Sequence, residues 1–207
     1  IKQCAHIKKI YNNSQYTHKY TIGPKVITLT KQTIHNMLDV LQEGVDLDTI
    51  DINDCYKITP KADGERYFMF ITNNLEIYLI NNNNNILNTG IILSKDNIQW
   101  ANSLLDGEYI KTNTSNNIEY IYRYFDIYIL NKKDYYNKHF SNRQEKMDEL
   151  NDILKSFTKK EKYVKCRYKI YKNISNIVEL NTTNFTEEDG EENSTEYKID
   201  GVIFMPT

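Results

Sequence analysis

The sequence predicts an α+β domain built mainly from antiparallel sheet. Three observations carry that prediction. Segments rich in β-branched and aromatic residues outnumber segments with a helical period. The two kinds do not strictly alternate, as they would around a parallel sheet. Asn-rich breaks, which favour turns, separate neighbouring strand-like runs.

The elements follow in order. Ile34, Met37, Leu38 and Leu41 recur at i, i+3, i+4 and i+7, with Gly44 as a stop. Tyr56–Thr59 is β-like. Arg66–Thr72 and Leu75–Ile80 flank Asn73-Asn74 and read as a hairpin. Asn81–Asn85 is a low-complexity loop between strands. Further strands are expected at Glu108–Ile110, Tyr120–Leu130, Tyr163–Tyr171 and Tyr197–Phe204. Met147, Leu150, Leu154 and Phe157 form a second helical stripe. Both stripes are read as core-facing.

Composition limits the function classes. The chain has 207 residues, 40% hydrophobic and 26% charged, which suits a globular protein with its own core. No apolar run approaches the roughly 20 residues of a membrane helix. Cys4, Cys55 and Cys166 are far apart and form no CxxC pair, which argues against a disulfide framework or a zinc site. A reducing setting is the simple expectation. Net charge is −2, unevenly spread. Residues 1–38 hold no Asp or Glu and several lysines, so residues 1–21 are read as a basic arm or linker. Glu187, Glu188, Asp189, Glu191 and Glu192 crowd together and read as an exposed loop.

The centre of the chemistry is Lys61-Ala62-Asp63-Gly64-Glu65-Arg66, expected at a turn between strands. A lysine there is exposed and firmly held. Its amine is a nucleophile only when neutral, a state favoured by neighbouring cations or desolvation. Gly64 lets backbone approach a ligand closely. Arg66 offers forked hydrogen bonds to a sugar or phosphate. Alone, the hexapeptide reads equally well as a tight turn with a surface salt bridge. Three more segments accompany it: Leu105-Asp106-Gly107-Glu108, with two carboxylates at the start of a strand; Tyr124-Phe125-Asp126-Ile127-Tyr128; and Ile199-Asp200-Gly201-Val202-Ile203-Phe204, with an acid at a turn. Together they supply a nucleophile, carboxylates for a metal ion, an aromatic face for a base and a donor for a ribose.

These segments resemble the covalent nucleotidyltransferases, the superfamily of mRNA capping enzymes and ATP-dependent polynucleotide ligases. KADGER resembles the lysine-nucleophile motif, LLDGEY the second acidic motif, YFDIYIL the base-stacking motif and YKIDGVIF the next strand motif. The stretch 131–143 resembles the segment that follows the base-stacking strand. Ligases typically carry Glu-Gly where this chain has Asp200-Gly201, so the closer similarity is to capping enzymes, above all those of large cytoplasmic DNA viruses. The resemblance spans residues 22–207, which it marks as the nucleotidyltransferase domain.

What the resemblance implies is specific. Lys61 would attack the α-phosphate of GTP, releasing pyrophosphate and leaving lysyl-GMP, and GMP would pass to the 5′-diphosphate end of RNA. Arg66 and Glu108 would hold the ribose, Phe125 would stack on guanine, and Ile203 would close the other face. Asp63, Gly64 and Gly201 would line the nucleotide site. Asp200 would organise metal or phosphate, with Asp126 a second candidate ligand for Mg²⁺ or Mn²⁺. A triphosphatase domain would precede and a methyltransferase domain follow, with action in the cytoplasm, a viral factory or the virion.

The resemblance implies a further motif, a K-x-K strand, and an OB-fold lid after it, both of which would lie beyond Thr207. Residues 1–207 alone are therefore expected to guanylylate weakly or not at all. A robust labelled enzyme–GMP band from them would refute that. Two other readings stay open at this point: the adenylation domain of an ATP-dependent DNA or RNA ligase, and a non-catalytic nucleotide- or RNA-binding module.

Overall fold

A computed structural model describes residues 56–113, 118–157, 164–173, 184–187 and 195–207. The first helical stripe, the basic arm, the boundary at residue 22 and most of the acidic run lie outside the described residues.

Two sheets organise the described chain. The smaller has the order β10 (Asn184–Glu187), β11 (Thr195–Pro206), β1 (Tyr56–Ala62), β9 (Lys172–Asn173). The larger runs β4 (Ile86–Ile92), β3 (Glu76–Asn81), β2 (Glu65–Ile71), β5 (Ser103–Asn113), β6 (Ile118–Leu130), β7 (Lys133–Asp134). β8 (Lys165–Tyr168) also joins β6. Every pairing is antiparallel except β6 with β8, as expected of a mainly antiparallel domain. One α-helix, α1 (Phe140–Lys155), is present among the described residues.

The strands follow their sequence. β3 alternates half-buried and buried residues, Ile77 and Leu79 inward, because successive side chains of a strand point to opposite faces. The β2–β3 hairpin forms with Tyr67 opposite Asn81 and Ile71 opposite Ile77, but Thr72 and Leu75, expected as strand ends, lie in the turn between Ile71 and Glu76. Leu75 takes a positive φ of 66° in its turn, a cost that burial of the side chain offsets. The Asn81 side-chain oxygen accepts from the backbone N–H of Asn83 and Asn85, so the Asn run forms a hydrogen-bonded loop into β4.

α1 buries Phe140, Met147, Leu150 and Leu154, at roughly 1.5–3 kcal/mol for each large apolar side chain. They join Tyr122, Tyr124 and Trp100 in the main core. The helix begins where the backbone N–H groups of Asn142 and Arg143 bond to the His139 carbonyl. It ends where the Ser156 hydroxyl turns back to the Ile153 carbonyl at 2.8 Å. A second core joins the two sheets: Ile58 and Ala62 of β1 and Tyr197 and Ile199 of β11 pack with Ile110 and Ile121 of the larger sheet.

Three more expectations need correction. The span Tyr163–Tyr171 is not one strand but β8, followed after a break by β9 in the other sheet. Asp106-Gly107-Glu108 lies in the middle of β5 rather than at its start. Asp200-Gly201 lies within β11 rather than at a turn. At both DG pairs the ladder carries through with a register shift, so a pair that reads as a turn in sequence lies at a bulge within a strand pairing. Cys166 is a buried free thiol.

Candidate active site

Lys61 is the last-but-one residue of β1, at the point where the chain leaves the smaller sheet. Asp63 and Gly64 cross to the larger sheet, and β2 starts at Glu65. The lysine therefore stands between the sheets, held on one side by pairing with Gly201 of β11. The register shifts between Lys61 and Ala62. Gly201 has φ +157°, and a Cβ there would come no closer than 4.0 Å to the Lys61 Cδ. The Lys61 ammonium donates to both oxygens of Asp200 at 2.6 Å. Both side chains keep substantial exposure, 41% and 47%, so the pair is open to a ligand.

Across the crossing, Arg66 stands opposite Glu108 on β5. Its guanidinium donates through Nε to Asp106 Oδ1 at 2.9 Å and through Nη2 to the other carboxylate oxygen. Asp106 is 1% exposed. Burial pushes its carboxyl up, opposed by the Arg66 and Tyr128 hydrogen bonds. Burial opposes the Arg66 charge, yet Asp106 outweighs it and holds the guanidinium above its ordinary value. The arginine is a fixed cation.

Glu108 ties the site together. Burial pushes its carboxyl up to about 7, against the opposing charges of Lys169, Lys61 and Arg66, while Asp106 adds to the rise. Lys61 and Arg66, from opposite sides of the crossing, thus act on one carboxyl. Phe125 of β6 is half-buried, with Lys169 Nζ 5.4 Å from its ring centre. Lys169 is itself buried. A lysine ammonium at that distance from a ring is held there by cation–π attraction.

Other sequence-predicted residues sit as follows. Gly64 allows close approach, but of β5: a Cβ would lie 2.6 Å from the Tyr109 carbonyl oxygen and 2.8 Å from Glu108 Cγ. Asp63 bonds the Lys198 carbonyl through its backbone N–H at 2.9 Å and faces the Lys198 ammonium at 3.6 Å. Ile203 is half-buried opposite Thr59. Asp126 is not open to a ligand. It is 3% exposed, and Arg143 of α1 donates to both its oxygens. Burial pushes its carboxyl up to about 6 against that arginine.

Fit to a divalent cation follows from these positions. No group of three or more His, Cys, Asp or Glu side chains that could hold a metal occurs among the described residues. Mg²⁺ needs none, because it binds through one or two carboxylates plus substrate phosphates and keeps several waters. Asp200, exposed beside Lys61, fits that role. Asp126, buried against Arg143, does not.

Sequence reading missed four contributors: Asp106 as the partner of Arg66, Tyr128 beside it, Lys169 over Phe125, and Arg143 on Asp126. Asp106 carried a signal, as a second acid two residues before Glu108 on the same strand. The others read as ordinary strand or helix residues.

Comparison with known proteins places the chain in a family. Residues 40–207 match the family described as mRNA capping enzyme, catalytic domain. The chain is 40% identical over 81 residues to a "Probable mRNA-capping enzyme" of Acanthamoeba polyphaga mimivirus. That match covers 39% of this chain and only 6% of the much longer viral protein. Among solved structures it is similar to one named "Pmar-Lig_Pre.", at 15% identity and a TM-score of 0.47, over 86% of this chain and 51% of the other. With the family match spanning most of its length, the chain belongs to the mRNA capping enzyme catalytic-domain family.

Proposed function

We propose that this domain is an mRNA guanylyltransferase with Lys61 as its nucleophile. The observation that carries the reading is the Lys61–Asp200 pair, exposed between two sheets, with Arg66 and Glu108 across the crossing. Lys61 Nζ attacks the α-phosphorus of GTP. A P–N bond forms, the α–β P–O bond breaks, pyrophosphate leaves and the amine loses a proton. In the second step a terminal phosphate oxygen of 5′-diphosphate RNA attacks the same phosphorus, forming the cap and freeing Lys61. Dividing one transfer into two is the gain of covalent catalysis.

In this reading Asp200 orients the amine, Arg66 and Glu108 hold the ribose, Phe125 stacks on guanine and Ile203 closes the opposite face. Asp63, Gly64 and Gly201 shape the crossing that admits the nucleotide. Asp200 would hold Mg²⁺ or Mn²⁺, which would supply neutralisation of phosphate charge. The nucleotidyltransferase domain is residues 22–207, with residues 1–21 an arm from a preceding triphosphatase domain and a methyltransferase domain beyond. Cytoplasmic action, in a viral factory or virion, accompanies the viral likeness.

The test is incubation of the full-length protein with α-labelled GTP or ATP plus Mg²⁺, followed by denaturing electrophoresis. Label from GTP alone, lost in Lys61→Ala, is expected. Label from ATP alone would move the domain to the ligases. No label from either would leave a binding module.

A further inference from the structure

We propose that Tyr128 is a positioning residue of the nucleotide site, whose hydroxyl, with the Asp106 carboxylate, sets the direction of the Arg66 guanidinium. The inference rests on the reading of Arg66 as a nucleotide ligand. Three groups close a hydrogen-bonded ring. Arg66 Nε donates to Asp106 Oδ1 at 2.9 Å, and Nη2 to Oδ2. The Tyr128 hydroxyl donates to the same Oδ2 and accepts from Arg66 Nη2 at 3.2 Å. Asp106 and Tyr128 are 1% and 2% exposed, so water does not compete for these bonds.

The ring of bonds uses the Nε–Nη2 edge of a planar group. Fixing that edge fixes the plane, and with it the direction of Nη1. Arg66 also lies over the Phe68 ring, 5.1 Å from its centre. Tyr128 packs at 6.3 Å from Phe68 and edge-on at 5.2 Å to Tyr136. These ring contacts do not need the hydroxyl. Packing therefore holds Tyr128, and the hydroxyl is left to hold Asp106 and Arg66.

The experiment measures the GTP dissociation constant by calorimetry on the full-length protein as wild type, Tyr128→Phe, Arg66→Ala and the double variant. Tyr128→Phe is expected to weaken GTP roughly three- to tenfold, as for one lost hydrogen bond, and to add nothing once Arg66 is alanine. Asp106→Asn, which keeps the shape, is expected to weaken GTP further and also to couple to Arg66. An equal effect of Tyr128→Phe with and without Arg66 would overturn the proposal, since it would show a purely structural role. So would unchanged GTP affinity in Tyr128→Phe. If Tyr128→Phe does not fold, Asp106→Asn decides alone by the same coupling. Wild-type protein that neither binds GTP nor takes its label would instead sink the functional reading on which the proposal stands.

Discussion

The Lys61 ammonium lies 2.6 Å from both carboxylate oxygens of Asp200, a residue 139 positions away in the chain. Antiparallel pairing of β1 with β11 brings the strands together, and a bulge sets the contact: Lys61 pairs with Gly201 and Ala62 with Ile199, leaving Asp200 as the extra residue. Without that bulge Asp200 would point to the face opposite Lys61, because side chains alternate along a regular strand.

Replacement of Lys61 by alanine is expected to abolish covalent label from GTP and leave the fold intact. An exposed ion pair contributes only about 0–1 kcal/mol. Circular dichroism and a denaturant titration check the second half. An unfolded variant would contradict the assigned role.

Phe125→Ala is expected to weaken GTP binding by roughly 1–3 kcal/mol, the range for loss of one base–aromatic stack. Equilibrium binding measures it. An unaltered dissociation constant would remove Phe125 from the base site.

Gly107→Ala is expected to destabilise the domain by about 1–3 kcal/mol through overpacking. The added methyl would meet the Tyr122 ring and stand 2.7 Å from the Arg123 carbonyl oxygen. Tyr122 has no room to yield: its hydroxyl donates to the Tyr67 carbonyl at 2.9 Å and accepts from the Met69 N–H at 3.1 Å. A urea midpoint equal to wild type would show that β5 relaxes.

Removal of Arg143 by alanine is expected to cost about 3–5 kcal/mol, because it leaves the Asp126 carboxylate buried without its cation. Asp126→Asn combined with Arg143→Met should recover much of that loss. Thermal unfolding of the single and double variants compares them, and a double variant no more stable than Arg143→Ala would argue against the pairing as the cause.

Glu108 imposes a pH dependence on stability. Folding raises its carboxyl from 4.5 to about 7, chiefly by burial, so the folded state binds its proton more tightly than the unfolded chain. Its contribution is therefore greatest at low pH and is lost as pH rises from about 4.5 through 7, by on the order of 3 kcal/mol. Glu108→Gln is expected to flatten that decline. Parallel stability profiles for the two proteins between those pH values would refute the shift.

Local chemistry made much of the fold legible. The β2–β3 hairpin, β6 and the apolar stripe of α1 follow from side-chain period, and the Asn turns from backbone preference. The motif residues Lys61, Arg66, Glu108, Phe125 and Asp200 could be named because each sits in a short run of recognisable character. What could not be read was which acid belongs to which cation. Asp106, Asp126 and Asp200 all stand in similar Asp-containing strands, yet one clamps Arg66, one is buried by Arg143 and one meets Lys61. The sequence by itself determined the residue types, the strand and helix periods and the chemistry on offer. Tertiary structure alone decided the partners, because strand register and the crossing at Asp63-Gly64 bring together residues far apart in the chain, and burial, a property of the packed sheets, determines which charges remain open to a ligand.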